Sequence, residues 1–151
     1  MKKIILFHLL IMLIFFACNK EINCKVKNGN EGLIVKEISD DLCWQISEKN
    51  FVIRTDSAYK SIVKIDSANC SKPLENIDFS KFTLLGQYAD AGGCSVGFLR
   101  TVTRNDAEKK YTYEVYANGC GQCDMLGLSN NMVLVEKIPE DYTVEFSIKE
   151  N

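Results

Sequence analysis

Residues 94–123 read CSVGFLRTVTRNDAEKKYTYEVYANGCGQC, and the alternation inside that stretch decides the fold. From Cys94 the apolar set falls on even positions: Cys94, Val96, Phe98 and Val102. From Tyr111 it falls on odd positions, Tyr111, Tyr113, Val115 and Ala117, with Thr112 and Glu114 between them. A period of two marks a strand with one buried face. Asn105-Asp106-Ala107-Glu108-Lys109 reads as a turn, so 94–103 and 110–118 form an antiparallel hairpin. Directly opposed residues share a face, and even must therefore oppose odd. That parity favours a Cys94–Cys123 disulfide over Cys94–Cys120, a preference that a β-bulge would reverse.

Working outward, the same kind of short, turn-bounded run recurs. Residues 33–35 are apolar; Leu42, Trp44 and Ile46 alternate with polar neighbours; 51–54 follow a Glu48-Lys49-Asn50 turn. Residues 82–85, 132–135 and 142–148 complete the set, the last two separated by Ile138-Pro139-Glu140-Asp141. Residues 56–62 read as one short helix with Asp56 as N-cap and Tyr59, Ile62 and Val63 on one side. The expected architecture is mainly β: an antiparallel β-sandwich or small barrel with one short helix, stapled by disulfides. A chain of 151 residues with 46% apolar and 25% charged residues supports one such domain, placed at 28–151.

Seven cysteines stand at 18, 24, 43, 70, 94, 120 and 123. Six cysteines besides Cys18 allow 15 connectivities; with Cys94 and Cys123 joined, Cys24 with Cys43, closing a short loop, and Cys70 with Cys120 is one of the three that remain. Cys120-Gly121-Gln122-Cys123 also admits a thiol-disulfide role. However, a redox motif of that spacing opens a helix in a βαβ unit, whereas this one follows a strand and meets Gly127 and Asn130-Asn131. A zinc ribbon needs a second close Cys pair, and Cys24, Cys43, Cys70 and Cys94 are all singletons.

The amino-terminal segment explains the odd cysteine. Lys2 and Lys3 precede the apolar run IILFHLLIMLIFFA at 4–17, too short for the roughly 20 residues of a membrane span. It reads as a secretory signal at 1–17. Its end, Phe15-Phe16-Ala17-Cys18-Asn19, resembles a bacterial lipobox, with two Phe where Leu and a small residue are usual. The resemblance implies cleavage before Cys18, diacylglycerol on its thiol and acylation of the new amino terminus, with 18–27 as the tether. The loose form is similar to lipoproteins of the Bacteroidota. Export meets an oxidising compartment, where the six remaining cysteines pair.

Cleavage would also remove His8, the only histidine, and turn the formal charge of -2 into -4 by taking Lys2 and Lys3. Without imidazole no Ser-His-Asp or Cys-His nucleophile system exists, nor a His-ligated zinc hydrolase. The adjacent acids Asp40-Asp41 and Glu140-Asp141 sit beside turns, where carboxylates stay solvated. Gly92-Gly93-Cys94 lacks the spacing of a phosphate loop. The expectation is no catalysis, no cofactor, no metal and no nucleic acid.

Three further patterns invite a function. Asp78-Phe79-Ser80-Lys81-Phe82-Thr83-Leu84-Leu85-Gly86, the Gly-Gly-Cys at 92–94 and Leu134-Val135-Glu136-Lys137-Ile138-Pro139 resemble small uncharacterised lipoproteins of the Bacteroidota. The Asp-Phe-Ser-Lys run is also similar to the C-terminal domain of a spirochaete protease-complex small subunit, which implies an inhibitory or regulatory role toward an envelope protease. Its structural reading is a turn with Phe79 tucked inward. Asp56-Ser57-Ala58 and Asp66-Ser67-Ala68 are similar to the O-glycosylation acceptor of Bacteroidota, with Ser67 better placed than Ser57; capping and turn serines explain both equally. Asn69-Cys70-Ser71 matches the eukaryotic N-glycan acceptor, a coincidence in a bacterial chain. Trp44, Tyr88, Tyr111, Tyr113, Tyr116 and Tyr142 offer either core packing or a glycan-binding face, Tyr116 being on the outward side of its strand. The expected function is a non-catalytic binding or accessory lipoprotein of the cell envelope, outer-membrane and either periplasmic or surface-facing. Its membrane contact is the lipid anchor, and an envelope protein or a glycan is its partner class.

Overall fold

The computed structural model describes residues 25–38, 44–65 and 74–150. Strands β8 (Ser95–Asn105) and β9 (Lys110–Cys120) are the expected hairpin, paired from Ser95 opposite Cys120 to Asn105 opposite Lys110 with no break in register. Even opposes odd throughout, as the alternation requires. Phe98 and Val102 of β8 are buried together with Tyr111, Tyr113, Val115 and Ala117 of β9.

Around that hairpin a first sheet forms in the order β1-β8-β9-β12, where β1 is Gly29–Gly32 and β12 is Thr143–Glu150. Both outer strands run parallel to their neighbours, so the sheet departs at its two edges from a purely antiparallel pattern. A second, wholly antiparallel sheet has the order β2-β11-β6-β4, built from Ile34–Ile38, Met132–Glu136, Phe82–Gln87 and Asn50–Ile53. Two ribbons complete the described strands: β3 (Trp44–Ile46) with β5 (Val63–Ile65), and β7 (Ala89–Gly92) with β10 (Leu126–Ser129).

The second sheet is covered on both faces, which is why β6 and β11 read as continuous apolar runs rather than alternating ones. One face, through Leu85, Val133 and Val135, packs on the inner face of the first sheet. Its other face, through Phe51, Ile53, Leu84, Met132 and Leu134, packs on Tyr59, Val63, Ile77 and Phe79. The molecule is therefore a β-sandwich with a third layer made of helix α1 (Asp56–Ile62), β5 and the turn before β6.

Local chemistry adjusts the expected boundaries. Thr55, not Asp56, caps α1: its backbone is extended and its hydroxyl accepts from the Ala58 N–H at 3.2 Å. Asp56 occupies the first helical turn, where a carboxylate meets the positive end of the helix dipole. The 33–35 run is not one strand. Gly32 takes φ +72° and a Cβ there would lie 2.1 Å from the Val102 carbonyl oxygen, so the chain corners at Leu33 and passes from the first sheet into the second. Phe79 is buried as expected and meets Tyr59 edge-on at 5.7 Å. The Asp78 carboxylate holds that turn by accepting from the Ser80 N–H at 3.1 Å.

Candidate functional site

Two ends of the sandwich carry its unusual chemistry. At one end the β8–β9 ladder runs out into cysteines. Cys94 is bonded to Cys123 with Cα atoms 4.7 Å apart, the pairing the parity argument favours. Gly121 makes this possible: its φ is +87°, and a Cβ there would come within 2.7 Å of the Cys94 sulfur. The Cys94 N–H also donates to the Cys120 carbonyl at 2.7 Å. Cys120 is itself disulfide-bonded. Its partner lies outside the described residues, so the two sulfurs of Cys120-Gly121-Gln122-Cys123 belong to different bridges. A dithiol that cycles within that motif would join them to each other.

The chain leaves Cys123 as the β7–β10 ribbon, with Leu126 opposite Gly92 and Ser129 opposite Ala89. Met125, Leu126 and Leu128 are 64%, 63% and 53% exposed, among the barest large apolar side chains of the described residues. Beneath the ribbon lies a cavity of about 300 Å³ lined by Asp90, Ala91, Gly92, Ala117, Gly119 and Glu150. Small residues create the space, and its carboxylates face solvent. No group of His, Cys, Asp and Glu with metal-holding geometry occurs among the described residues.

At the other end the hairpin turn is bound by charge and π-systems. Arg104 lies 5.0 Å from the Tyr142 ring centroid and 5.8 Å from that of Tyr111, and the two rings meet edge-on at 5.7 Å. Its guanidinium pairs with Asp106 and donates to the Tyr142 hydroxyl at 3.1 Å, while that hydroxyl donates to Asp106 at 2.8 Å. The Tyr142 hydrogen bond, then the Arg104 pair, hold the Asp106 carboxyl below the usual carboxylate range. The hydrogen bonds that Arg104 donates to Tyr142, then to Asp106, push its guanidinium pKa upward. Lys109 joins Asp141 at 2.7 Å, which raises the amine and lowers the acid. Lys110 sits between Glu145 and Glu108, 3.0 Å from each, and is raised. A second cavity of about 300 Å³ opens here, lined by Gly32, Leu33, Ile34, Val35, Arg104, Tyr111, Val135 and Glu136. Leu33 and Val35 at its rim are 46% and 53% exposed.

Between the ends, a polar thread crosses the core. Arg100 is 5% exposed on the inner face of β8, with Nη2 3.2 Å from the Glu37 carboxylate and Nη1 donating to the Phe98 carbonyl. Tyr113 is fully buried and donates to the Asn131 carbonyl, and burial raises its hydroxyl pKa.

The aromatic residues divide accordingly. Tyr113 is core; Tyr111 is buried beside the Arg104 cluster; Tyr142 caps that cluster. Tyr116 faces outward under the Lys27 ammonium, 5.6 Å from its ring centroid, and Tyr88 is half-buried. Tyr111 and Tyr142 share one cluster, whereas Tyr113 and Tyr116 lie on opposite sides of β9. Trp44 lies in β3, and its side chain is outside the described set. Ser57 is exposed in the first turn of α1. Cys18, Cys24, Cys43, Cys70, Ser67, Asp40 and Asp41 lie outside the described residues. Glu140 and Asp141 are exposed as expected, with Asp141 engaged by Lys109.

Together these features define a disulfide-stapled, mixed-sheet β-sandwich with a bare apolar ribbon at one end and an arginine–tyrosine cluster at the other. No protein-family model, curated protein or solved structure matches the chain.

Proposed function

We propose that the chain is a lipoprotein of the bacterial cell envelope, a non-catalytic binding or accessory module tethered through acylated Cys18. The observation that carries this reading is the Cys94–Cys123 bridge, accompanied by a second bridge at Cys120. Such bridges persist where thiols are not kept reduced, which agrees with the signal-like run at 4–17 and the lipobox-like Phe16-Ala17-Cys18. An anchor that uses Cys18 also accounts for the odd cysteine. The cavity beside Arg104 and Tyr111 supports the binding half of the proposal. It combines bare apolar rim residues, an aromatic edge and a guanidinium, the mixture that orients a small ligand.

Mass analysis of the protein isolated from its membrane tests the proposal. The expected result is an amino-terminal Cys18 carrying acyl chains and no thiol that reacts under denaturing, non-reducing conditions. An uncleaved amino terminus with seven titratable thiols would overturn it.

A further inference from the structure

The tether would bring the chain to a membrane at the same end of the sandwich that exposes the β7–β10 ribbon. Chain direction shows this. The Lys27 N–H donates to the Asn118 side-chain oxygen at 2.6 Å, and the Asn118 amide donates to the Lys27 carbonyl at 2.8 Å. Asn118 opposes Gly97, two steps from the Ser95–Cys120 end of the ladder. On the inner side of that level the backbone of Gly127 lies against Val96. Since Gly127 turns toward the body, its strand neighbours Leu126 and Leu128 point away from it. Lys25 follows Cys18 by seven residues, a span of at most about 25 Å even fully extended.

We propose that Met125, Leu126 and Leu128 rest in the surface of the lipid bilayer that holds the anchor, giving the domain a second membrane contact and a fixed orientation. The proposal rests on the lipoprotein reading for the nearness of that bilayer. Leu126 and Leu128 on the ribbon and Met125 immediately before it, each more than half exposed, form the kind of patch that monomeric domains reserve for an interface. The Cys94–Cys123 bridge, next to the patch in sequence, holds the ribbon's base against the ladder. Contact through apolar side chains deepens with buried area. Exposed Lys25 and Lys27 at this end are outnumbered by exposed Asp90, Asp124 and Glu150, so the contact does not depend on anionic lipid, forms on zwitterionic lipid and resists salt.

The full chain, isolated with its native amino terminus and reconstituted into phosphatidylcholine vesicles, tests this by amide hydrogen exchange. The expected result is that exchange at 124–129 slows at least fivefold on vesicles relative to detergent-free protein without lipid, and that L126D/L128D removes the slowing. A second probe is the W44F/L126W variant in brominated lipid, whose emission should fall by half or more, while W44F/E108W at the far turn stays bright. Unchanged exchange together with an unquenched L126W overturns the proposal. Protection that instead rises with protein concentration in the absence of lipid also overturns it, because a second copy then covers the ribbon. The mass of the amino-terminal peptide in the same sample separates the two readings. Acylated Cys18 with an unprotected ribbon leaves the lipoprotein reading standing alone, and an unacylated chain with a protected ribbon makes the ribbon the membrane contact by itself.

Discussion

The two ends of the β8–β9 hairpin are held by opposite means. At Cys94, Cys120 and Cys123 the chain is joined covalently, and its neighbouring ribbon leaves Met125, Leu126 and Leu128 bare. At the turn, Arg104, Asp106, Lys109, Asp141 and Tyr142 are joined by charge and hydrogen bonds at the solvent-exposed surface. A bridge acts chiefly by restricting the unfolded chain and is indifferent to salt and acid. Exposed ion pairs act in the folded state and depend on both. One end is thus built for permanence and the other for a conditional fit.

Breaking the covalent end should have the largest effect. C94A/C123A opens a loop with a sequence separation of 29, and the chain-entropy argument gives a loss of about 3–4 kcal/mol, readable as a lower urea midpoint. G121A comes next. It forces a side chain into positive φ and against the Cys94 sulfur, at a cost of about 1–2 kcal/mol by the same measurement. Equal stability of wild type and G121A would mean that the turn relaxes freely.

Acid should act at the other end only. The Asp106 and Asp141 carboxyls are held below their ordinary value, so their stabilisation is complete above the unfolded-state pKa and disappears as pH falls through the depressed folded values. Amide protection at 104–110, taken relative to the intrinsic exchange rate at each pH, should fall below about pH 4 while protection at 94–98 and 117–120 holds steady. Y142F sharpens this test, since removing the principal hydrogen bond to Asp106 should raise that carboxyl toward its ordinary value in an NMR titration. Salt should have the smallest effect: 0.5 M sodium chloride should loosen the turn slightly and leave the bridged end unchanged.

The permanent end was legible in the sequence and the conditional end much less so. Parity of apolar positions told which faces of the hairpin strands oppose and so favoured Cys94–Cys123, because side-chain alternation is a strict geometric rule. The runs at 51–54, 82–85 and 132–135 became β4, β6 and β11, the last two legible as unbroken apolar stretches because the second sheet is covered on both faces. Alternation says nothing about parallel edges, so the pairing of β1 with β8 and of β12 with β9 could not be anticipated. Strand β5 was hidden because it follows α1 with no turn residue, and β7 because Ala89-Asp90-Ala91-Gly92 has weak strand propensity. Strand β10 lies in a stretch where Gly127 argues against a helix, and Leu126 and Leu128 around that glycine were the available signal for a ribbon with one bare face. Arg104 gave no local sign of its role, since Tyr142 reaches it from 38 residues away. Arg100 stands in the apolar register of β8, from which its burial follows, but its partner, the exposed Glu37 carboxylate, comes from a strand 63 residues earlier.

The corner at Gly32–Leu33 sets a timetable for assembly. Strands β1 and β2 are adjacent in sequence but dock in different sheets, one beside β8 and the other beside β11. Neither has a place to settle until much later stretches of polypeptide have arrived, whereas β8 and β9 close a short loop on their own. An emerging chain would therefore complete its hairpin, and could oxidise Cys94 with Cys123, while its leading strands were still waiting. The segment that leaves first would wait longest for its seat.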